Sequence, residues 1–275
     1  MKTALLAALC TLSSAVQPLR GQTAGGGSGG TPAGDVEPLF EARDALFMGG
    51  VGVATLAIAP FDKEFADYLQ GDPQARRFLR RMFFAVERIA LPGAFIIGGG
   101  LYGAGKLSGN DEMADVGLHG TEAIVIGLAV TSVIKFSAGR ARPYVNREDP
   151  YNFKFMRGLG KEEYRSFPSG HTLIAFAAAS AVTDESSRFW PEAQWLLGPV
   201  LYGGAALVGV SRMYNNKHWA SDVIMGGAIG VFSGLKVVKY HHSRPRNRID
   251  RWLLGVSIGH DEFGSRTARL ILVPQ

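Results

Sequence analysis

From about Glu41 onward, long apolar stretches recur near 45–60, 89–105, 119–137, 172–183, 195–212 and 222–240. They are rich in Ala, Leu, Ile and Gly, and most are longer than the roughly four to eight residues of a strand, so they predict helices. Polar segments with turn residues separate them at Asn110-Asp111, Asn146 to Pro150 and Asp184 to Pro191. The expected fold class is all-α, a bundle of about six core helices. No internal repeat is visible. Near the end, Arg269 to Val273 has the composition of a short strand.

The flanks read differently. Lys2 supplies a positive start, Ala4 to Leu12 a short apolar run, and Ser13-Ser14-Ala15 a small-residue cleavage point. Residues 1–21 therefore predict a secretory signal peptide, its apolar run being too short to cross a bilayer. Residues 22–40, rich in Gly, Ser, Thr and Pro, predict a flexible linker. The helical domain is expected over 41–242, with a tail over 243–275. Cys10 is the single cysteine, which excludes an internal disulfide and a thiolate metal cluster.

Several stretches approach the length of a membrane helix, yet each is diluted by Gly, Ser, Thr or a charge such as Glu122 or Lys135, and the mean hydropathy is only +0.08. After signal cleavage, six crossings would put Lys135 and the basic segment Arg76 to Arg88 in the cytoplasm. A soluble bundle exported whole to the periplasm or cell envelope escapes that constraint and is slightly favoured, with membrane association as the other arrangement. The formal charge of +5 suits an anionic substrate or a membrane surface. No run of Lys and Arg is interleaved with aromatics, so nucleic acid is the least supported partner.

Three polar clusters carry candidate chemistry. In the first, Lys135 and Arg142 stand seven residues apart, so both share a face if the helix continues until Pro143 halts it. Two cations there can clamp an anion, Arg through its planar fork and Lys as a point charge. In the second, Phe167-Pro168-Ser169-Gly170-His171-Thr172 enters an apolar helix. Ser169 or Thr172 can cap it, Gly170 lets the backbone approach a ligand, and the free N–H groups of the first turn suit an anion. His171 is a candidate proton donor. In the third, His218 and Asp222 lie four apart, with Arg212 upstream. On a helix the carboxylate would orient the imidazole and leave one ring nitrogen free to attack. Together these groups fill every role of phosphoryl transfer: cations at Lys135, Arg142 and Arg212, neutral donors at Ser169 and Gly170, a nucleophile at His218 held by Asp222, and an acid at His171.

The three clusters match, without departure, the tripartite signature Lys-x6-Arg-Pro, Pro-Ser-Gly-His and Ser-Arg-x5-His-x3-Asp. On these residues, Lys135 to Pro143, Pro168 to His171 and Ser211 to Asp222, the chain resembles the type 2 phosphatidic acid phosphatases over roughly residues 40 to 240. Their superfamily includes class A acid phosphatases and vanadium haloperoxidases. The resemblance implies a helical bundle with the clusters at one end. It implies a phosphatase acting on phosphate monoesters or diphosphates through a phosphohistidine, with no metal and no cofactor. The alternatives are a vanadium-dependent haloperoxidase, which would hold vanadate, and a non-enzymatic envelope protein that binds anions or lipids. The substrate is expected to be a phosphorylated compound, lipid phosphates being weakly favoured by the apolar stretches. His119, His241, His242 and His260 lie outside the signature. The pair His241-His242, beside Arg244, Arg246 and Arg248, reads as a solvated basic tail rather than a metal site.

Overall fold

A computed structural model describes residues 38–70, Phe83, 92–244 and the backbone of 256–260 and 266–270. The six expected helices are all present: α1 (Ala42–Ile58), α3 (Ala94–Ser108), α4 (Asp111–Ala138), α5 (Gly170–Phe189), α6 (Gln194–Tyr214) and α7 (Ala220–Ser243), with a shorter α2 (Asp62–Gln70) after α1. The fold class is all-α, as the apolar periodicity predicts. Strands β1 (Val256–His260) and β2 (Arg266–Leu270) pair antiparallel, Val256 opposite Leu270. The expected strand at Arg269 to Val273 thus overlaps β2 at its start, and its last three residues lie outside the described chain. The signal peptide, nearly all of the linker and the segment Arg76 to Arg88 apart from Phe83 also lie outside it.

Local chemistry sets the helix ends. Asn110 caps α4 by accepting from the Met113 N–H at 2.9 Å, and acidic Asp111 and Glu112 favour that terminus. Gly139 ends α4 in the left-handed region at φ 56°. A Cβ there would also sit 1.9 Å from the Lys154 carbonyl. The expected break at Asp184 to Pro191 falls later, because α5 runs on to Phe189. Its last turns are held by Glu185, which is buried and accepts from two histidines.

The core forms where α5 meets α7 and α4. Leu173, Ile174, Ala177 and Ala181 pack with Ile229, Val237, Val238, Ala123 and Ile124. A Cβ on Gly226 or Gly230 would meet the Ser169 or Leu173 carbonyl at 2.4 or 2.5 Å, so these glycines let α7 lie directly on the backbone of α5. Hydrogen bonds from Lys135 to the Pro168 carbonyl, from the Ser169 N–H to the Asp222 carbonyl, from the Lys217 N–H to the Arg212 carbonyl and from Arg140 to Asp62 and Asp222 bring the end of α4, the starts of α5 and α7, the end of α6 and the start of α2 to one end of the bundle.

The outside of the bundle is apolar. Leu46, Val53 and Leu56 on α1, Ile96 and Ile97 on α3, Val125, Val130 and Val133 on α4, and Trp195, Leu196 and Val200 on α6 are all exposed. Four segments, Ala42–Leu69, Asp111–Ala138, Pro191–Tyr214 and Ala220–Ser243, are long and apolar enough to cross a membrane. In the last, 72% of the apolar window is inside the protein, against 11% in the first, so most of this apolar surface faces outward. Water would not tolerate such a belt, whereas lipid solvates it. The soluble bundle favoured on sequence is corrected: this is a membrane protein.

Candidate active site

The three polar clusters converge at that one end and are tied to one another. The Lys135 ammonium donates to the Arg165 and Pro168 carbonyls at 2.8 and 2.6 Å, joining α4 to the loop that carries Ser169. The Ser169 N–H donates to the Asp222 carbonyl at 2.9 Å, joining α5 to α7. The Lys217 N–H donates to the Arg212 carbonyl at 3.0 Å, folding the turn before α7 back over the end of α6. Lys135, Arg142 and Arg212 all act on His171 electrostatically, and Lys135 and Arg212 act on His218. The Arg142 Nε is buried without a hydrogen-bond partner among the described residues. A Cβ on Gly170 would meet nothing within 4 Å, so there is open space in front of the first turn of α5. The site can therefore receive an anion between three cations and a helix N-terminus.

Two expected geometries are corrected. Lys135 and Arg142 do not share a helical face, because Gly139 ends α4 before Arg142 is reached. Instead the chain extends through Arg140, which forms a β-bridge with Phe153, and the Arg142 N–H donates to the Glu163 carbonyl at 2.9 Å. Likewise His218 and Asp222 are not on one helix. His218 precedes α7, and Asp222 sits in its first turn, accepting from the Trp219 N–H at 2.8 Å.

The imidazole of His218 is oriented by a carbonyl rather than directly by the carboxylate. Its Nδ1 lies 2.7 Å from the Ser166 carbonyl oxygen and 3.6 Å from Asp222 Oδ2. Only an Nδ1–H can face a carbonyl, so the tautomer follows and the Nε2 lone pair is left available. Asp222 acts at one remove: its Oδ2 accepts from the Ser166 hydroxyl at 2.5 Å and so steadies the residue whose carbonyl holds the ring. The Ser169 hydroxyl pairs with the Thr172 hydroxyl at 2.8 Å and does not cap α5.

Four supporting residues had no role on sequence. The Arg140 guanidinium donates to Asp222 Oδ1 at 2.6 Å, Asp62 Oδ2 at 2.7 Å and the Ser221 hydroxyl at 2.8 Å. Asp62 in turn accepts from the Ser221 N–H at 2.9 Å. Arg140, Asp62, Ser166 and Ser221 are all buried. Arg140 stood in view between Lys135 and Arg142, but spacing does not show that its guanidinium is fully enclosed. Asp62 lies far upstream and carries no local signal.

His171 and His218 lie outside the four apolar spans. Burial, with Lys135 and Arg212 nearby, pushes His218 down to about 3. Burial, with Arg212, Lys135 and Arg142, pushes His171 down to about 3 as well. Both rings are therefore neutral at physiological pH until an anion enters.

Known proteins resemble this chain in sequence and fold. Residues 118–246 match the PAP2 superfamily. The chain is 40% identical over 84 residues to a lipid A 1-phosphatase of Porphyromonas gingivalis, covering 30% of this chain and 18% of that protein. It is 31% identical over 137 residues to an undecaprenyl-diphosphatase of Sulfolobus acidocaldarius, covering 48% of this chain and 63% of that protein. The chain thus spans less than two thirds of the length of these curated relatives. Its fold is similar to the crystal structure of a transmembrane PAP2-type phosphatidylglycerolphosphate phosphatase from Bacillus subtilis, with a TM-score of 0.55 and 20% identity over 76% of this chain and all of that one. The matched segment holds all three clusters and the helices that bring them together, and the chain belongs to the PAP2 superfamily.

Proposed function

We propose that the protein is a lipid phosphate phosphatase that works through a phosphohistidine on His218. The observation that carries this reading is the imidazole whose Nδ1–H is committed to the Ser166 carbonyl, leaving the Nε2 lone pair beside Lys135 and Arg212. Lys135, Arg142, Arg212, Ser169 and the Gly170 N–H hold the phosphate oxygens and favour the charge of the transition state. The Nε2 lone pair attacks phosphorus in line, and the phosphorus–ester oxygen bond breaks. His171 gives its proton to the departing alkoxide. Water then attacks the phosphohistidine while His171 takes the water's proton. The N–P bond breaks, phosphate leaves and His218 returns to its neutral form.

The dianionic substrate supplies the charge that lets His171 hold its proton against three cations. An acid that forms only when substrate is bound restricts the chemistry to the occupied site. Relatives named for lipid A and undecaprenyl diphosphate, together with the apolar exterior, point to an amphiphilic lipid phosphate or diphosphate as substrate. The protein then works in the cell envelope with its site at the membrane surface.

Purified protein in detergent should release phosphate from such lipids and form a base-stable, acid-labile phosphoenzyme. His218→Ala should lower turnover by about a thousandfold or more and abolish the adduct. An adduct on serine would overturn the mechanism. Peroxide- and vanadate-dependent halide oxidation in place of phosphate release would favour the haloperoxidase alternative.

A further inference from the structure

The histidines outside the signature assemble at the other end of the bundle. His119 lies 16 residues before Lys135 on α4, about 24 Å along the helix at ~1.5 Å per residue. Its Nδ1 is 2.9 Å from Glu185 Oε2, and His242 Nε2 is 2.8 Å from Glu185 Oε1. His241 stacks on His119 with ring centroids 4.1 Å apart, and its Nε2 lies 2.6 Å from Glu122. The expected solvated basic tail is corrected here: His241 is buried, because α7 continues as a packed helix to Ser243 and lays this histidine against α4.

We propose that His119, Glu185 and His242 bind one divalent first-row transition ion of the Zn2+ class. Three observations carry this. One ligand atom from each residue lies within 4.8 Å of the others, a set that needs only a small contraction to surround one ion. The second concerns charge. Glu185 is almost fully buried, and among the described residues its ionic partners are imidazoles, with no Lys or Arg paired to it. A divalent ion would give this buried carboxylate a full counter-charge and both imidazoles a common partner. The third is His119 itself. It is 2% exposed, and its Nε2 has no hydrogen-bond partner among the described residues. That is a poor arrangement for a ring whose only task is packing.

The ligand set of two imidazoles and a carboxylate suits Zn2+. His242 is exposed and gives the ion its way in. Binding would displace the protons the imidazoles share with Glu185 and cross-link α4, α5 and α7 at the end remote from phosphate chemistry.

The test uses the full chain in detergent, free of any polyhistidine tag and stripped with chelator. Co2+ serves as the spectroscopic probe and Zn2+ as the competitor. The expected result is one Co2+ per chain with visible d–d bands, displaced by Zn2+. His242→Ala should weaken it at least tenfold, as should Glu185→Gln, while His218→Ala leaves it unchanged. Because His242 is exposed, its variant keeps the test valid even if Glu185→Gln fails to fold. Absence of stoichiometric binding, binding indifferent to His242→Ala, or binding lost in His218→Ala would each overturn the proposal. Since the readout is metal occupancy, the result stands whether or not the phosphatase reading holds.

Discussion

The two ends of the bundle both bury histidines beside carboxylates, but with opposite charge balance. At the active end, Arg140 bridges Asp62 and Asp222, Lys135 stands near Asp222, Arg142 and Arg212, and these four cations exceed Asp62, Asp222 and the exposed Glu162 paired with Arg142. On the proposed mechanism the incoming phosphate completes the balance. At the remote end, Glu185 and Glu122 meet His119, His241 and His242 with no Lys or Arg partner among the described residues, so no fixed cation neutralises these carboxylates. The same residue types are therefore set for ligands of opposite sign. The neighbours that other helices bring decide which, not the histidine or the carboxylate alone.

Experiments can break or sharpen this contrast. The largest effect is expected from Arg140→Ala. It leaves Asp62 and Asp222 buried without their shared cation, a change that typically costs about 3–5 kcal/mol. Denaturant unfolding should register that loss, and turnover should fall with it as Ser166 and His218 lose their support. Normal stability in this variant would show that the network is not what holds the active end. Next come two glycines. Gly226→Ala puts a Cβ 2.4 Å from the Ser169 carbonyl, and overpacking of this kind costs about 1–3 kcal/mol. Gly170→Ala meets no protein atom within 4 Å, so it should leave Tm unchanged, and on the proposed mechanism it should raise KM by placing a methyl group against the phosphate. Equal effects of the two on Tm would contradict the open space assigned to the anion.

The pH response of the active end follows from its depressed imidazoles. A group held down to about 3 in the folded protein, against 6.5 ordinarily, contributes stability that is intact above 6.5. That stability is lost as pH falls towards 3, since the unfolded chain takes up the proton first. Tm should therefore drop between pH 6.5 and 4, and the drop should be smaller in His218→Gln. An NMR titration of His218 with a midpoint near 6.5 would refute this. The smallest effect belongs to the remote end: His242→Ala should change turnover by less than about twofold, as expected for a site about 24 Å away along α4. A larger loss would couple the two ends.

Much of the active end was legible because its residues cluster locally. Pro168 to His171 and Arg212 to Asp222 are short segments whose side-chain types state their chemistry. What was not legible was how the backbone presents them. The αL turn at Gly139 breaks the helical face assumed for Lys135 and Arg142. The carbonyl that orients His218 belongs to Ser166, a residue whose side chain gave no hint of that role. The remote end was misread for a related reason. His241 and His242 sit beside arginines in the sequence, but in space they face His119, Glu122 and Glu185 on α4 and α5. The choice between water and lipid was equally hidden, since Ala- and Gly-rich helices suit both, and only the outward direction of residues such as Val130 and Leu196 separates them.

The sequence by itself determined the helices, the three polar clusters and the kinship they carry, because each is written within a few turns of chain. Only the tertiary structure decided which groups meet: Arg140 with Asp62, Ser166 with His218, and the remote histidines with Glu185. Those contacts join residues up to 78 positions apart, and their charge balance depends on burial that no local pattern encodes.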